Sequence, residues 1–254
     1  MATGLLALIT GTATRLARFL GAEEKTYVGE ILFGQVSDTY DAEGDVQNTG
    51  VAPPEDASLI LTALDKFRGR FVQTPPPVSA KKVNGVAAYK LARKKIEVEL
   101  KPVEVEVKSL EVLSIAEARL EICVTCSAGT YIRGIAHDLG RLLGCGALLG
   151  KLRRTAIGDF GIEQARTLEE LGRLAAAGRL AEAVIPSMRL LPEIPAEFFD
   201  ASIEAQIRQG RNFRTSPFVV PPGAPHVKAV SHSGELIAIG DLRMPNVYHP
   251  GTVF

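Results

Sequence analysis

The strongest fold constraint in the chain is residues 120–142, where the patterns of a strand, a turn and a helix follow one another without a break. Leu120, Ile122 and Val124 place apolar side chains at every second position, which is the period of a half-buried strand. Gly129 then marks a turn. Apolar residues recur after it at helical spacing, at Ile132, Ile135, Ala136, Leu139 and Leu142. The strand is therefore expected to deliver the chain directly to the first turn of a helix.

The first turn of this predicted helix carries a positive charge. Thr130 is the predicted N-cap residue, because a hydroxyl there can accept a hydrogen bond from a free helical N–H. Arg133 then lies at the end of the helix where the macrodipole disfavours a cation. Its position indicates a nearby anion, either a protein carboxylate or a phosphate, and a solvated arginine is the alternative.

Patterns elsewhere in the chain predict an α+β fold. Val103, Val105 and Val107 alternate with charged residues, and this strand is expected to pair in antiparallel fashion with residues 120–124, with a bulge near Ser109. Further predicted elements are a strand over 27–33 and helices over 12–20, 56–67 and 167–180. Antiparallel strands with helices interspersed among them are typical of an α+β fold and not of a doubly wound one.

A group of prolines, Pro186, Pro192 and Pro195, indicates a domain boundary. We expect a larger domain over residues 1–190 and a smaller one over residues 191–254. The smaller domain is predicted to contain a helix over 203–209 and short strands over 227–230 and 236–239.

The charge composition bears on the partner. The 254 residues include 29 Lys and Arg and 29 Asp and Glu, which gives a formal net charge of +0. Because nucleic-acid-binding proteins are often strongly basic, an RNA-binding surface here must concentrate its positive charge locally. The candidate cationic residues are Lys81, Lys82, Arg153, Arg154, Arg208, Arg211 and Arg214. For each of these clusters, a solvated surface without a ligand is the alternative.

Cysteine content and hydropathy favour a reducing cytoplasm and no membrane association, since the chain has three cysteines and no apolar run of membrane-spanning length. Cys123 and Cys126 have Cys-x-x-Cys spacing, but an odd spacing on a strand points the two side chains to opposite faces. The four histidines show no metal-ligand spacing, so no metal site is expected.

Short motifs occur along the chain in a defined order. They read Met-Ala-Thr-Gly-Leu-Leu at 1–6, Lys-Thr-Tyr at 25–27, Asp-Thr-Tyr-Asp-Ala-Glu-Gly at 38–44, Pro-Pro-Pro-Val-Ser-Ala-Lys-Lys-Val-Asn-Gly at 75–85, Thr-Tyr-Ile-Arg at 130–133 and Leu-Arg-Arg-Thr at 152–155. In content and order these motifs resemble those of the TruB family of tRNA pseudouridine synthases, over residues 1–171.

The resemblance implies a fold and a reaction. The implied fold is an α+β pseudouridine-synthase core, with a mixed, largely antiparallel sheet flanked by helices, followed by a small β-rich PUA-like C-terminal domain. The implied activity is that of an isomerase that converts the T-loop uridine of tRNA (position 55) to pseudouridine without a metal or an organic cofactor. The expected partner is the T-loop and stem of tRNA, and we expect a cytoplasmic monomer.

The resemblance also assigns roles to individual residues. Tyr27 matches the tyrosine that stacks on the flipped base and is proposed to take a proton from it. Arg133 matches the arginine that pairs with a nucleophilic aspartate, which would supply the anion that its helix position indicates. Tyr131 and Leu152 match residues that line the uridine pocket. Lys81 and Lys82 become candidates for phosphate contacts.

One element of the family pattern lies outside this sequence. The family's nucleophilic aspartate belongs to the motif Gly-Thr-Leu-Asp-Pro-Met-Ala-Thr-Gly, and the match of its tail places that aspartate two residues before Met1. A misassigned start, a fragment of a longer chain and a true loss are the three explanations. The polypeptide as given is expected to be inactive without that residue, so a non-catalytic tRNA-binding protein is the alternative function.

The same alignment gives a geometric expectation. The aspartate two residues before Met1 must reach Arg133, and two residues of chain plus two side chains span only a limited distance. The Cα atom of Met1 should therefore lie within roughly 15–18 Å of those of Arg133 and Tyr27. Tyr27, Tyr131, Arg133 and Leu152 should meet at one cleft, with Arg133 lacking a carboxylate partner. Asp38 and Asp41 are interpreted as structural residues of their loop.

Overall fold

The computed structural model describes residues 2–21, 23–83, 85–92, 94 and 100–254, with the side chains of residues 82, 83 and 87 excepted. Its α-helices are α1 (Ala17–Leu20), α2 (Ala57–Asp65), α3 (Ala88–Ala92), α4 (Ile132–Leu143), α5 (Leu168–Ala176) and α6 (Ala201–Arg208). Its strands are β1 (Ala2–Gly4), β2 (Lys25–Phe33), β3 (Gln35–Ser37), β4 (Val46–Asn48), β5 (Gly69–Gln73), β6 (Lys82–Val83), β7 (Val86–Ala87), β8 (Val103–Ala116), β9 (Arg119–Cys126), β10 (Ala147–Ile157), β11 (Phe160–Gly161), β12 (Ala196–Phe199), β13 (Phe213–Arg214), β14 (His226–Ser231), β15 (Leu236–Met244) and β16 (Val247–Val253).

The chain divides into two compact units, Met1–Ala7 with Ala22–Ala165 and Leu8–Gly21 with Arg166–Phe254. This division after Ala165 differs from the expected boundary between residues 190 and 191. Residues before that boundary contact the C-terminal sheet, because Lys228 Nζ donates to the carbonyl oxygens of Met188 and Leu190 at 3.3 and 2.9 Å. Prolines mark where regular structure is interrupted and carry no information on such tertiary contacts.

The first unit is built around a seven-stranded sheet in the order β1-β10-β2-β9-β8-β5, with β11 paired to β10. β1 runs parallel to β10, and the other pairings of this sheet are antiparallel. The sheet is therefore mixed and largely antiparallel. Together with the helices packed on it, this arrangement confirms the α+β prediction.

Helices α2 and α4 cover one face of this sheet. Ile60 and Leu64 of α2 and Ile135 of α4 are buried in one cluster with Ile122 and Val124 of β9. The two β9 residues share a face because side chains alternate along a strand. The apolar stripe predicted for the helix is thus the surface by which α4 packs onto the sheet, and this packing fixes where the first turn of α4 lies.

The hairpin that leads to α4 confirms two predictions. β8 pairs with β9 in antiparallel register, and the register shifts between Val107 and Ser109, where the bulge was expected. Helix α4 begins at Ile132, as the spacing of the apolar residues predicted. The turn between them carries Gly129 with a φ of 88°, in the left-handed region that favours glycine.

The predicted N-cap at Thr130 is wrong. The N-cap residue is Tyr131, and its side chain makes no capping hydrogen bond. Thr130 Oγ1 donates instead to the carbonyl oxygen of Ser127 at 2.9 Å. This bond closes the preceding turn, so the hydroxyl does not cap the helix. The backbone N–H of Tyr131 is satisfied by a side chain from another strand, described below.

The other predicted helices differ from the observed ones in where they begin and end. The helix predicted over 12–20 is a 3-10 helix over Gly11–Leu16 followed by the single turn of α1. Helix α2 begins after Asp56, whose Oδ1 accepts a hydrogen bond from the backbone N–H of Ser58 at 2.8 Å. Helix α5 begins after Thr167 with a capping box, and ends at Ala176, earlier than predicted.

The second unit contains a five-stranded sheet in the order β12-β14-β15-β16-β13, in which β12 and β14 are parallel. Helix α6 packs on it through Ile207, which is fully buried in a cluster with Phe199, Phe213 and Tyr248. The predicted helix and strands of the smaller domain correspond to α6, β14 and β15. Within the described residues, none of the helices combines the length and the apolar character that crossing a membrane requires.

Candidate active site

A buried glutamine holds the N-cap residue of helix α4. Gln73 Nε2 donates to the carbonyl oxygen of Tyr131 at 3.0 Å, and the Tyr131 N–H donates to Gln73 Oε1 at 2.9 Å. Gln73 is only 1% exposed. Gly134 provides the space, because a Cβ atom at that position would lie 2.8 Å from Gln73 Nε2. The last residue of β5 therefore fixes the backbone from which Tyr131 and Arg133 project.

The guanidinium group of Arg133 is held by a carboxylate and two carbonyl groups. Its Nη1 donates to Asp41 Oδ2 at 2.9 Å and to the carbonyl oxygen of Thr39 at 3.2 Å. Its Nη2 donates to the carbonyl oxygen of Val78. The expectation that Arg133 lacks a carboxylate partner is therefore wrong, because the loop that follows β3 folds against α4 and brings Asp41 to it. Charge-assisted bonds of this kind are about twice as strong as neutral ones.

The carboxylate of Asp41 is itself fixed in orientation. Its Oδ1 accepts hydrogen bonds from Thr39 Oγ1 at 2.7 Å and from the backbone N–H of Glu43 at 3.1 Å, while Oδ2 faces Arg133. Asp38 has a different task, because its Oδ1 accepts from the N–H of Asp45 at 2.9 Å and closes the loop. Of the two acids interpreted as structural, Asp41 thus also takes part in the site.

A cleft of about 300 Å³ opens beside these groups. It is lined by Ala2, Tyr27, Asp41, Glu43, Thr130, Tyr131, Ile132, Arg133, Leu149, Gly150, Lys151 and Leu152. The four residues expected to meet at one cleft, Tyr27, Tyr131, Arg133 and Leu152, all line it. Met1, for which a distance to Arg133 and Tyr27 was expected, lies outside the described residues. Its neighbour Ala2 lines the cleft and pairs with Leu152 through the parallel β1–β10 ladder.

Adjacent strands bring Tyr27 and Arg154 together. The two residues are direct partners in the β2–β10 ladder, so their side chains leave the sheet on the same face. Burial raises the pKa of Tyr27, while a hydrogen bond with the Arg154 side chain acts in the opposite direction. Arg154 Nε also donates to the carbonyl oxygen of Leu5 at 2.7 Å. The Tyr27 hydroxyl is therefore un-ionised at neutral pH and lies next to a fixed cation.

The two cysteine thiols of strand β9 offer no alternative nucleophile. Burial raises the pKa of the Cys126 thiol to about 11, so this thiol stays protonated at neutral pH. Cys123, on the opposite face of β9, is partly exposed, and its thiol pKa is also raised by burial. In the described part of the chain, no cluster of three or more His, Cys, Asp or Glu side chains could hold a metal ion.

The cationic residues proposed as RNA contacts differ in environment. Lys81 and Arg153 are exposed, whereas Arg154 is partly buried and bound to Leu5. The side chain of Lys82 lies outside the described residues. In the second unit, Arg208 pairs with Glu204 at 2.8 Å, and its Nη1 also donates to the carbonyl oxygen of Phe254 at 2.5 Å. Arg211 and Arg214 are exposed.

Comparison with solved structures gives the class of fold. A Cbf5-Nop10-Gar1 complex contains a chain that matches with a TM-score of 0.68 at 23% identity, covering 98% of this chain and 71% of that one. An H/ACA RNP bound to a substrate RNA containing 2′-deoxyuridine matches with a TM-score of 0.65 at 21% identity, covering 96% and 69%. The fold is that of Cbf5- and TruB-type pseudouridine synthases.

Comparison with sequence families is more specific. Residues 1–132 match the TruB family pseudouridylate synthase N-terminal domain, and residues 133–191 match the tRNA pseudouridylate synthase B C-terminal domain. The tRNA pseudouridine synthase B of Solibacter usitatus is 48% identical over 253 residues, covering 100% of this chain and 86% of that protein. That of Aquifex aeolicus is 40% identical over 216 residues, covering 83% and 73%. The chain belongs to the TruB family of pseudouridine synthases, which are isomerases.

Proposed function

We propose that this protein is a tRNA pseudouridine synthase that acts on the T-loop uridine and that its reaction takes place in the cleft beside Arg133. The observation that carries the proposal is the convergence of Tyr27, Tyr131, Arg133 and Leu152 on that cleft. The names of the similar proteins support tRNA as the substrate. The T-loop uridine is the finer assignment that the matching motifs imply.

The proposed reaction is an isomerisation and needs no co-reactant. The bond between ribose C1′ and uracil N1 breaks, the uracil rotates, and a bond between C1′ and C5 forms. The proton on C5 leaves and N1 gains a proton, so the product has the composition of the substrate. The base must leave its stack to reach a protein cleft, and a loop nucleotide requires the least energy to flip.

The chain's own residues would bind and orient the flipped uridine. Tyr27 and Tyr131 offer aromatic faces on which a base can stack, and Leu152 adds apolar surface. Arg133 would pair with the nucleophilic carboxylate that the family motif carries. A guanidinium has five N–H donors, and the three acceptors from Thr39, Asp41 and Val78 leave donor capacity for that second carboxylate.

We propose that RNA contacts outside the cleft come from exposed cations of both units. Lys81 and Arg153 would contribute from the first unit, and Arg211 and Arg214 from a PUA-like C-terminal domain over residues 191–254. Lys82 and Arg208 remain candidates from the matching motif and from the basic tail. We further propose a cytoplasmic monomer that uses no cofactor; the three free cysteines agree with a reducing compartment.

The test is isomerisation of a tRNA transcript labelled with tritium at C5 of uridine. The chain is extended at its N-terminus to carry the Gly-Thr-Leu-Asp-Pro motif, and tritium release is measured. We expect one tritium released per tRNA, and none from a transcript with cytidine at the T-loop position. Tight tRNA binding without release would instead support the non-catalytic alternative, and release from both transcripts would reject the T-loop assignment.

A further inference from the structure

A stacked pair of rings joins the loop that carries Asp41 to helix α4. The rings of Tyr40 and His137 are nearly parallel, with an interplanar angle of 9° and a centroid separation of 3.7 Å. Tyr40 has a φ of 66°, in the left-handed region that is unfavourable for a side chain of this size. A bulky residue remains in that conformation only where its surroundings hold it there.

The stack lies on the same side of α4 as the arginine of the site. Arg133 and His137 are four residues apart, so they occupy one face of the helix one turn apart. Their partners, Asp41 and Tyr40, are adjacent in the loop. One helix face therefore contacts two successive loop residues. It contacts Asp41 through a charged pair at 2.9 Å and Tyr40 through the stacked rings.

The loop backbone is also attached to β10, which limits what the stack itself must do. The Leu149 N–H donates to the carbonyl oxygen of Tyr40, and the Ala42 N–H donates to that of Leu149, both at 3.0 Å. These bonds fix the height of the loop over the sheet. They do not determine how closely the loop approaches α4. That approach is restrained by the bonds from Arg133 to Thr39 and Asp41 and by the stacked rings.

The electrostatic surroundings of the rings favour a neutral stack. Burial lowers the pKa of His137, with Asp138 opposing the shift and Arg141 adding to it. Burial also raises the pKa of Tyr40, so its hydroxyl stays un-ionised. Two uncharged rings can stack at neutral pH without the desolvation cost of a buried imidazolium.

We propose that Tyr40 and His137 are positioning residues for the isomerisation, which hold Asp41 against Arg133 without touching the substrate. This inference rests on the proposed function of the cleft. Loss of the stack would let the loop move away from α4, and the Arg133 guanidinium would lose its fixed direction. A misplacement of about 1 Å in a catalytic group can lower turnover by about a hundredfold.

The first experiment needs no activity and uses the 254-residue chain. Relaxation of the Arg133 Nε–Hε group is measured by NMR in the unchanged protein and in Tyr40→Asn and Tyr40→Phe variants. Asn tolerates the left-handed backbone but has no ring, whereas Phe keeps the ring. We expect increased side-chain motion of Arg133 in Tyr40→Asn alone. Equal motion in all three proteins would overturn the inference.

The second experiment measures kcat, KM and melting temperature in the N-terminally extended chain. We expect Tyr40→Asn and His137→Ala each to lower kcat by about tenfold or more, with KM little changed. Tyr40→Phe and His137→Phe should retain most of the turnover, because both keep two facing rings. If His137→Phe loses as much kcat as His137→Ala, or if Tyr40→Asn keeps full kcat, the inference is wrong.

Failure of the proposed function and failure of the positioning role give different results. An inactive unchanged protein that binds tRNA would reject the proposed function and leave the NMR comparison to decide the positioning role. An active unchanged protein whose ring-deleted variants keep their kcat would reject the positioning role alone. A fall in kcat that merely follows a fall in melting temperature across all four variants would also count against it.

Discussion

Asp41 Oδ2 accepts a hydrogen bond from Arg133 Nη1 at 2.9 Å, and the two side chains are only 20% and 21% exposed. The sequence indicates an anion for Arg133 from its place in the first turn of a helix. In the described structure a residue 92 positions earlier in the chain supplies it. Because both charges are mostly shielded from water, each depends on the other to compensate its desolvation.

Replacing Asp41 by Asn should lower turnover by about a hundredfold, because Arg133 keeps its carbonyl partners but loses the group that fixes its direction. Asp38→Asn is the matched control, since Asp38 lies in the same loop and bonds only to the N–H of Asp45 among the contacts described for it. The kcat of both variants is measured by tritium release in the N-terminally extended chain. Equal kcat values for the two variants would show that the pairing is structural only.

Gln73→Met should lower the free energy of unfolding by about 1–3 kcal/mol, because the Tyr131 N–H loses its hydrogen-bond partner, while the Tyr131 carbonyl oxygen keeps the N–H groups of Gly134 and Ile135. Gln47→Met serves as the control, since Gln47 lies on strand β4 and is exposed. Urea denaturation followed by circular dichroism gives both values. Gly134→Ala should also destabilise, because its Cβ would lie within 2.8 Å of the Gln73 amide. Stability within error of the unchanged protein in Gln73→Met would contradict this account.

The local elements of the fold are predictable because their signals are local. The alternation before Gly129 and the apolar spacing after it determine strand β9 and helix α4, and the phase slip near Ser109 predicts the bulge. The N-cap is not predictable in this way. Thr130 has the right side chain, but a competing bond to Ser127 engages its hydroxyl, and nothing in the pattern ranks the two bonds.

The site is predictable only in part, for a similar reason. The motifs predict that four residues meet at one cleft, and all four line it: Tyr27, Tyr131, Arg133 and Leu152. The roles of Asp41 and Gln73 depend on how a loop and a strand approach α4, which is a long-range property. The available signal for Gln73 is a polar residue at an inward position of a short strand, two residues before the proline-rich segment.

The pH dependence of turnover should reveal whether Tyr27 accepts a proton as a phenolate. Burial raises the pKa of Tyr27, so the phenolate fraction at neutral pH is small and grows about tenfold per pH unit until the pKa is reached. We therefore expect log kcat to rise with pH through the neutral range, and Tyr27→Phe to give a lower, flat profile. A flat profile in the unchanged protein would assign Tyr27 to stacking alone.

Arg154→Met should move that rise to higher pH. The Arg154 side chain lowers the pKa of Tyr27 against the effect of burial, so its removal raises the pKa further and reduces kcat at any fixed pH below it. Arg153→Met is the control, because Arg153 is the next residue on the strand and is exposed on the opposite face. Identical pH profiles for the two variants would exclude an effect of Arg154 on the tyrosine.

The exposed arginines of the second unit should contribute phosphate contacts that appear in the salt dependence of tRNA binding. Each contact adds about 0.7–0.9 to the slope of log affinity against log salt, because it releases condensed counterions. Arg211→Gln with Arg214→Gln should therefore reduce the slope by about 1.5 and weaken binding most at low salt. Arg208→Gln is the comparison, since Arg208 is paired with Glu204 and its replacement should change the slope less.

Filter binding of tRNA from low to moderate salt gives the slope for the unchanged protein, the double variant and Arg208→Gln. An unchanged slope in the double variant would mean that Arg211 and Arg214 are solvated surface residues and that tRNA affinity comes from the first unit.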